Sequence, residues 1–156
     1  MTAQMKHSEL AAKLVVDGCL AIVAGKVQGK MPMEGVQVTE LERNELGLRQ
    51  GGQTIFYPLN ESGVFLDLNR TTGSVFFADF DFDRAMPAIE TALKRAYPQA
   101  KQLKDTPHPR KKNFRFRSYE VDFGNGRLAL VELDSPEATA KNRKFVARIF
   151  PQARKN

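Results

Sequence analysis

The chain of 156 residues is 42% apolar and 27% charged, enough for one domain with its own core and far from the composition of a disordered chain. One cysteine and two histidines exclude an intrachain disulfide, a Cys-x-x-Cys redox or zinc pair and a multi-histidine metal centre. The net charge of +6 is uneven: residues 1–100 carry 10 basic and 12 acidic side chains, residues 101–156 carry 14 and 6. Such a basic half suits an anionic partner, whether nucleic acid, an anionic membrane surface or an acidic protein, or serves solubility.

The N-terminus lacks a signal peptide's order of basic, apolar and small residues. The longest apolar run, Cys19–Ala24, is six residues where a membrane helix needs about twenty. The expectation is a cytoplasmic protein in a reducing compartment, without transmembrane association.

Leu10, Leu14, Cys19 and Ile22, with Ala11, Val15 and Gly18, recur at spacings that predict an amphipathic helix from a Ser8 N-cap to Ala24, with Lys13 and Asp17 facing solvent. Gly25, Gly29 and Pro32 end it, and Cys19 within it reads as a buried, inert thiol. A shorter helix followed by a strand at Leu20–Val23 is the alternative, since that run is rich in β-branched residues. Val36, Val38 and Leu41 then suggest a first strand. Thr54–Leu59 alternates, with Ile55, Tyr57 and Leu59 on one side. A turn at Asn60–Gly63 leads to Val64, Leu66 and Leu68, and Thr71-Thr72-Gly73 reverses the chain into a strand at Ser74–Phe80. Connections this short favour an antiparallel meander.

Asp81 or Asp83 caps a second predicted helix reaching Tyr97, with Met86, Ile89, Leu93 and Ala96 toward the sheet and Pro98 as its stop. Residues 99–112 are polar, contain Pro107 and Pro109, and read as a connector. Asn113–Phe123 and Arg127–Leu133 form a hairpin around Gly124-Asn125-Gly126, and an apolar phase shift near Ser118 predicts a bulge there. Ser135-Pro136 interrupts the run. Lys144–Phe150 makes a last strand with Phe145, Ala147 and Ile149 on one face, followed by a fraying tail over Gln152–Asn156. The fold class expected is α+β: one compact domain over residues 1–156, a twisted antiparallel sheet with two covering helices in the order helix, strands, helix, strands. Val64–Asp79 and Phe116–Glu132 echo one another as hairpins.

The strongest ligand candidate is Lys101–Arg117, where seven basic residues face Asp105 alone. On an extended strand Arg115 and Arg117 share one face, and Phe114 and Phe116 the other. With the phenylalanines in the core, the arginines present donor forks to phosphate, joined by Arg110, Lys111 and Lys112 from the loop. With them exposed, bases stack on the rings. Lys144 and Arg148, with Lys141, Arg143, Arg154 and Lys155, enlarge the patch if the last strand lies nearby. No helix-turn-helix, zinc-finger or RNA-binding signature adds sequence readout.

Asp79, Asp81 and Asp83 project one way on an extended chain, a spacing suited to magnesium or to an outward face plus a helix cap. Glu61, Asp67 or Asp122 completes an acidic site only through tertiary folding. His7 and His108 read as surface residues. No G-x-S-x-G elbow is present, and Gly25–Lys30 has the wrong order for a phosphate loop. The functional expectation is a small non-enzymatic nucleic-acid-associated or regulatory binding module, without cofactor or metal. Its phosphate contacts to DNA or RNA come from Arg110, Lys111, Lys112, Arg115, Arg117, Lys144 and Arg148. The alternatives are a module for an acidic protein partner, and a metal-assisted hydrolase or phosphotransfer enzyme at Asp79–Asp83.

Overall fold

The computed structural model describes residues 5–26, 31, 33–48, 51–59, 62–69 and 73–153. An eight-stranded antiparallel sheet carries two helices on one face, in the order helix, strands, helix, strands. The first helix starts as α1 (His7–Lys13), runs through a π-helical stretch (Leu14–Leu20) and ends as α2 (Ala21–Val23). The strand alternative at Leu20–Val23 is thus not adopted. Leu14, Val15 and Leu20 are fully buried against the sheet and the second helix, each contributing about 1.5–3 kcal/mol.

Ser8 is not the cap. It lies one residue into α1, and its backbone N–H and hydroxyl both donate to Asp81, which satisfies the helix end from a distant loop. The second helix therefore begins without a side-chain cap, as a 3₁₀ turn (Phe82–Arg84) running into α4 (Ala85–Ala96). Met86, Ile89 and Leu93 are buried as expected, but Ala96 is exposed and Tyr97 is buried in its stead.

The strands are β1 (Val36–Gln37), β2 (Gln53–Pro58), β3 (Gly63–Leu68), β4 (Gly73–Ala78), β5 (Lys101–Pro107), β6 (Phe114–Asp122), β7 (Arg127–Pro136) and β8 (Lys144–Ala153), in spatial order β1-β2-β3-β4-β8-β7-β6-β5. Several differ from expectation. The first strand is only two residues long, because Thr39 caps a short helix, α3 (Glu40–Glu45), and accepts a hydrogen bond from the Glu42 N–H. Thr39 and Glu42 form the Thr-x-x-Glu helix-start pattern. The expected connector at 99–112 contains β5, an edge strand paired along β6. The bulge falls on β5, between Gln102 and Lys104, while β6 pairs with β7 in unbroken register past Ser118. Ser135-Pro136 does not interrupt β7, and β8 continues to Ala153, opposite Arg127. The expected stops at Gly29 and Pro32, the turn positions Asn60, Glu61, Thr71 and Thr72, and Arg154–Asn156 lie outside the described residues.

The two halves repeat each other. Each is a helix followed by a four-stranded meander, and the meanders join at the antiparallel pair β4–β8. Tyr57 lies opposite Val64 on β2–β3, and Tyr119 opposite Val131 on β6–β7. Val64-Phe65-Leu66-Asp67 then matches Val131-Glu132-Leu133-Asp134 strand for strand. The hairpin echo in the sequence is in this sense real but out of register: the equivalent of Val64 is Val131.

Tyr57, Val64, Leu66, Val75, Phe77, Tyr119, Val131, Leu133, Phe145, Ala147 and Ile149 form the core with the helices. Cys19 belongs to that core at 4% exposure, and burial pushes its thiol up to about 12. A Cβ at Gly73 would lie 3.1 Å from Cys19 Sγ, tighter than an ordinary contact, so a side chain there would push on the thiol by a few tenths of an ångström. Ellman's reagent should therefore leave Cys19 unlabelled in native buffer at neutral pH and titrate one thiol per chain in denaturant. Rapid native labelling would contradict this packing.

Candidate binding face

The side of the sheet away from the helices is organised in rows. One row runs Val36, Phe56, Phe65, Phe76, Val146 and Asp134 across six strands, each residue in register with the next. Phe56 and Phe65 are 4.8 Å apart between ring centroids, and Phe65 and Phe76 are 5.2 Å apart and nearly parallel. Lys144 Nζ lies 4.5 Å from the Phe76 centroid. The ring faces are thus turned toward each other and toward a cation. Phe65, Val146, Leu130 and Phe150 are only partly buried on this side, unlike their counterparts on the helix side.

Two buried carboxylates anchor the face at equivalent places in the two halves. Asp67 on β3 accepts from Arg43 Nη2 at 3.0 Å and from Thr54 Oγ1 at 2.8 Å, and Arg43 Nε donates to Thr54 at 2.7 Å. Asp134 on β7 accepts both terminal nitrogens of Arg148, at 2.7 and 2.8 Å, and Lys111 Nζ at 2.6 Å. Burial would raise the Asp134 pKa, but the hydrogen bonds and charges of Arg148 and Lys111 outweigh it and bring it to about 2. The same attraction raises the pKa of Arg148 against its own desolvation.

His108 is not on the surface. Its side chain is 3% exposed, with Nε2 3.3 Å from Asp134. Its Nδ1 accepts the backbone N–H groups of Arg110 and Lys111, both at 3.0 Å, so Nδ1 carries no proton and the ring proton sits on Nε2, toward Asp134. This imidazole shapes the 108–113 turn that presents the lysines.

The seven expected phosphate contacts do not share one surface. Arg115 and Arg117 lie in register with Ser135 and Leu133, on the helix side of the sheet. Arg115 donates to Asp105 at 2.6 Å, and Arg117 bridges Asp105 at 3.0 Å and Glu90 on α4 at 2.7 Å. Arg117 is raised against its desolvation by those carboxylates, and the two arginines hold Asp105 below the usual range. Glu90 also accepts from the Tyr119 hydroxyl. Arg148 is on the opposite face, its fork filled by Asp134. Arg110 and Lys112 are exposed in the turn. The physical reason is charge partnering: arginines flanked by strand and helix carboxylates satisfy their planar donors internally.

Three of the seven do converge. Lys111, Lys112 and Lys144 meet Lys141 and Asn142 around Phe114 in an open pocket of about 390 Å³, the scale of a small-ligand site. The first two lysines come from the His108 turn, Lys141 from the β7–β8 loop and Lys144 from β8. Burial and the neighbouring Lys111 charge lower the pKa of Lys144. Phe114 is 5% exposed and forms the floor, so it offers no open ring face for a base.

Asp79, Asp81 and Asp83 do not form a trio. Asp79 takes a left-handed φ of 71° just past β4, which breaks the extended alternation, and Asp81 serves Ser8. Among the described residues no three His, Cys, Asp or Glu side chains are placed to hold a metal ion. Nor is any described helix long and apolar enough to cross a membrane.

Sequence reasoning missed Arg43, Asp134 and the burial of His108, and offered Asp67 for an acidic site when it pairs with Arg43 and Thr54. The signal available was the repeated Val-x-Leu-Asp, which puts a carboxylate on a strand whose neighbours are core residues. Fold and face together define an α+β domain whose two long helices cover one side of its sheet and leave the other open apart from the α3 corner. In comparisons with known proteins the chain matches no family model, no curated protein and no solved structure.

Proposed function

We propose that the protein is a non-enzymatic interaction module that takes an acidic protein segment on the uncovered face of its sheet. The observation that carries this reading is the juxtaposition, on one face, of partly exposed apolar side chains, Val36, Phe56, Phe65 and Val146, and a pocket edged by four lysines. Carboxylates satisfy the lysines, and apolar side chains cover Phe65, Val146 and Phe150. A protein segment supplies both, whereas phosphate supplies only the first.

Fluorescence anisotropy with a labelled peptide alternating Glu with Leu or Phe tests it. The peptide should bind, and K112E/K141E, two exposed positions, should weaken it by roughly tenfold or more with unchanged circular dichroism. Equal binding of a Gln-substituted peptide would overturn the reading.

Nucleic acid is the second reading, favoured by the lysine pocket itself. It retains Arg110, Lys112 and Lys144 as phosphate contacts, whereas Lys111, Arg115, Arg117 and Arg148 are engaged by carboxylates. Edge-on rings leave it without a stacking platform, so it predicts binding indifferent to sequence, with a log-log salt slope near −0.9 per DNA phosphate neutralised. An oligonucleotide that displaces the peptide with that slope would move this reading to first place.

A further inference from the structure

We propose that the acidic segment is supplied by a second copy of this chain, so that two protomers pack through their uncovered sheet faces. This rests on the interaction reading above and names its partner. The face is self-complementary. At one corner α3, tied to β2 and β3 through Arg43, presents Glu40, Glu42 and Glu45 together with Leu41, which is 70% exposed. Val36, the first residue of the apolar row, is 60% exposed beside it. The lysine pocket lies at the diagonally opposite corner, on β6, β8 and their loops. Strand spacing and rise put the two corners roughly 15–25 Å apart.

A two-fold axis lying between facing copies, perpendicular to the line joining the corners, sets each α3 on the other copy's lysines and one apolar row against the other. Both charged contacts then form at once, as an isologous interface requires. Eight strands of about six residues give a face of roughly 700 Å² in projection, close to the roughly 800 Å² per partner of a standard stable interface.

The sheet edges point the same way. β5 carries Lys101, Lys104, Pro107 and a bulge, and β1 offers only two residues, so both edges resist strand addition and association falls to side-chain surfaces such as this face. The net charge of +6 on each copy opposes association in any orientation, so the two acid-on-lysine contacts have to outweigh that repulsion for the dimer to form.

Sedimentation velocity across a concentration series should give a species of twice the 17.5 kDa chain mass, weakening as salt rises. K112E/K141E and E42K/E45K should each dissociate at least roughly tenfold more readily than the native chain. An equimolar mixture of the two variants should recover a dimer, because both corners of the mixed pair are again opposite in charge. A native chain that stays monomeric at every concentration would overturn the proposal, as would variants that dimerise as well as the native chain or a mixture that fails to associate. The E42K/E45K chain keeps its lysines and so separates the two ideas. If the native chain is monomeric while E42K/E45K binds the acidic peptide, only self-association falls; if E42K/E45K ignores the peptide, the interaction reading falls as well.

Discussion

Asp134→Ala should lower the unfolding free energy by about 3–5 kcal/mol, the scale seen when one partner of a buried charge cluster is removed. The Asp134 side chain is 1% exposed, accepts from Arg148 and Lys111 and lies 3.3 Å from His108 Nε2. Alanine would leave the Arg148 guanidinium with only Glu132, at 3.3 Å, and would release the lysine turn from the sheet. Asp134→Asn keeps the volume but turns an –NH₂ group toward cationic donors, so most of the loss should persist. Urea denaturation of both variants measures this, and a cost under about 1 kcal/mol would mean that the cluster adds little net stability.

The same carboxylate sets the acid limb of stability. Its pKa is about 2 in the folded protein against an ordinary value of 3.8, so above about pH 5 it is ionised in both states and its contribution is complete. As pH falls below about 4 the unfolded chain takes up a proton that the folded chain refuses, and the contribution drains away until about pH 2. The difference corresponds to about 2 kcal/mol. Asp134→Asn should flatten this limb, and a variant as acid-sensitive as the native chain would assign the limb to other carboxylates.

Arg43→Ala should be comparably severe, at about 3–5 kcal/mol, with a local signature of its own. Arg43 is 2% exposed and is the only buried residue of α3. A six-residue helix does not stand alone in water, so losing the side chain that tethers it melts the helix as well as stranding Asp67. A Cβ at Gly52 would lie 2.6 Å from Arg43 Nη2 and 2.9 Å from the Leu68 carbonyl, which shows how closely the chain wraps this guanidinium. Hydrogen exchange should show α3 amides losing protection first and most. Arg43→Met/Asp67→Leu, which removes both charges and keeps apolar bulk, should regain much of the loss. If the double variant is no better than Arg43→Ala, packing rather than the unpaired carboxylate governs the site.

Strand periodicity made much of the fold legible. Ile55 and Tyr57, Val64 and Leu66, and Phe145, Ala147 and Ile149 alternate because one sheet face is buried, and burial on one face writes itself into a period of two. Helix α4 was legible for the same reason at a period near 3.6. The strand β5 was not: as an exposed edge it has no buried face, so it shows no apolar alternation and includes the lysines and proline that guard an edge. The apparent phase shift at Ser118 had another cause. Arg115 and Arg117 share a face with Tyr119 and Val121, but they lie where ion pairs rather than aliphatic side chains fill the space beneath α4.

The basic C-terminal half was evident from composition, yet composition has no direction. Which cations stay available depends on carboxylates distant in sequence: Glu90 lies 27 residues from Arg117, and Asp134 lies 23 from Lys111 and 14 from Arg148. Such pairings form only when strands come into register and a helix lands on the sheet. From the chain alone follow the α+β class, the helix–strand order and the excess of positive charge, because those depend on neighbours within a few residues. Tertiary structure alone decided that Arg115, Arg117 and Arg148 meet carboxylates while Lys112, Lys141 and the glutamates of α3 stay exposed at opposite corners of one sheet face, because charge partnering is settled by proximity in space.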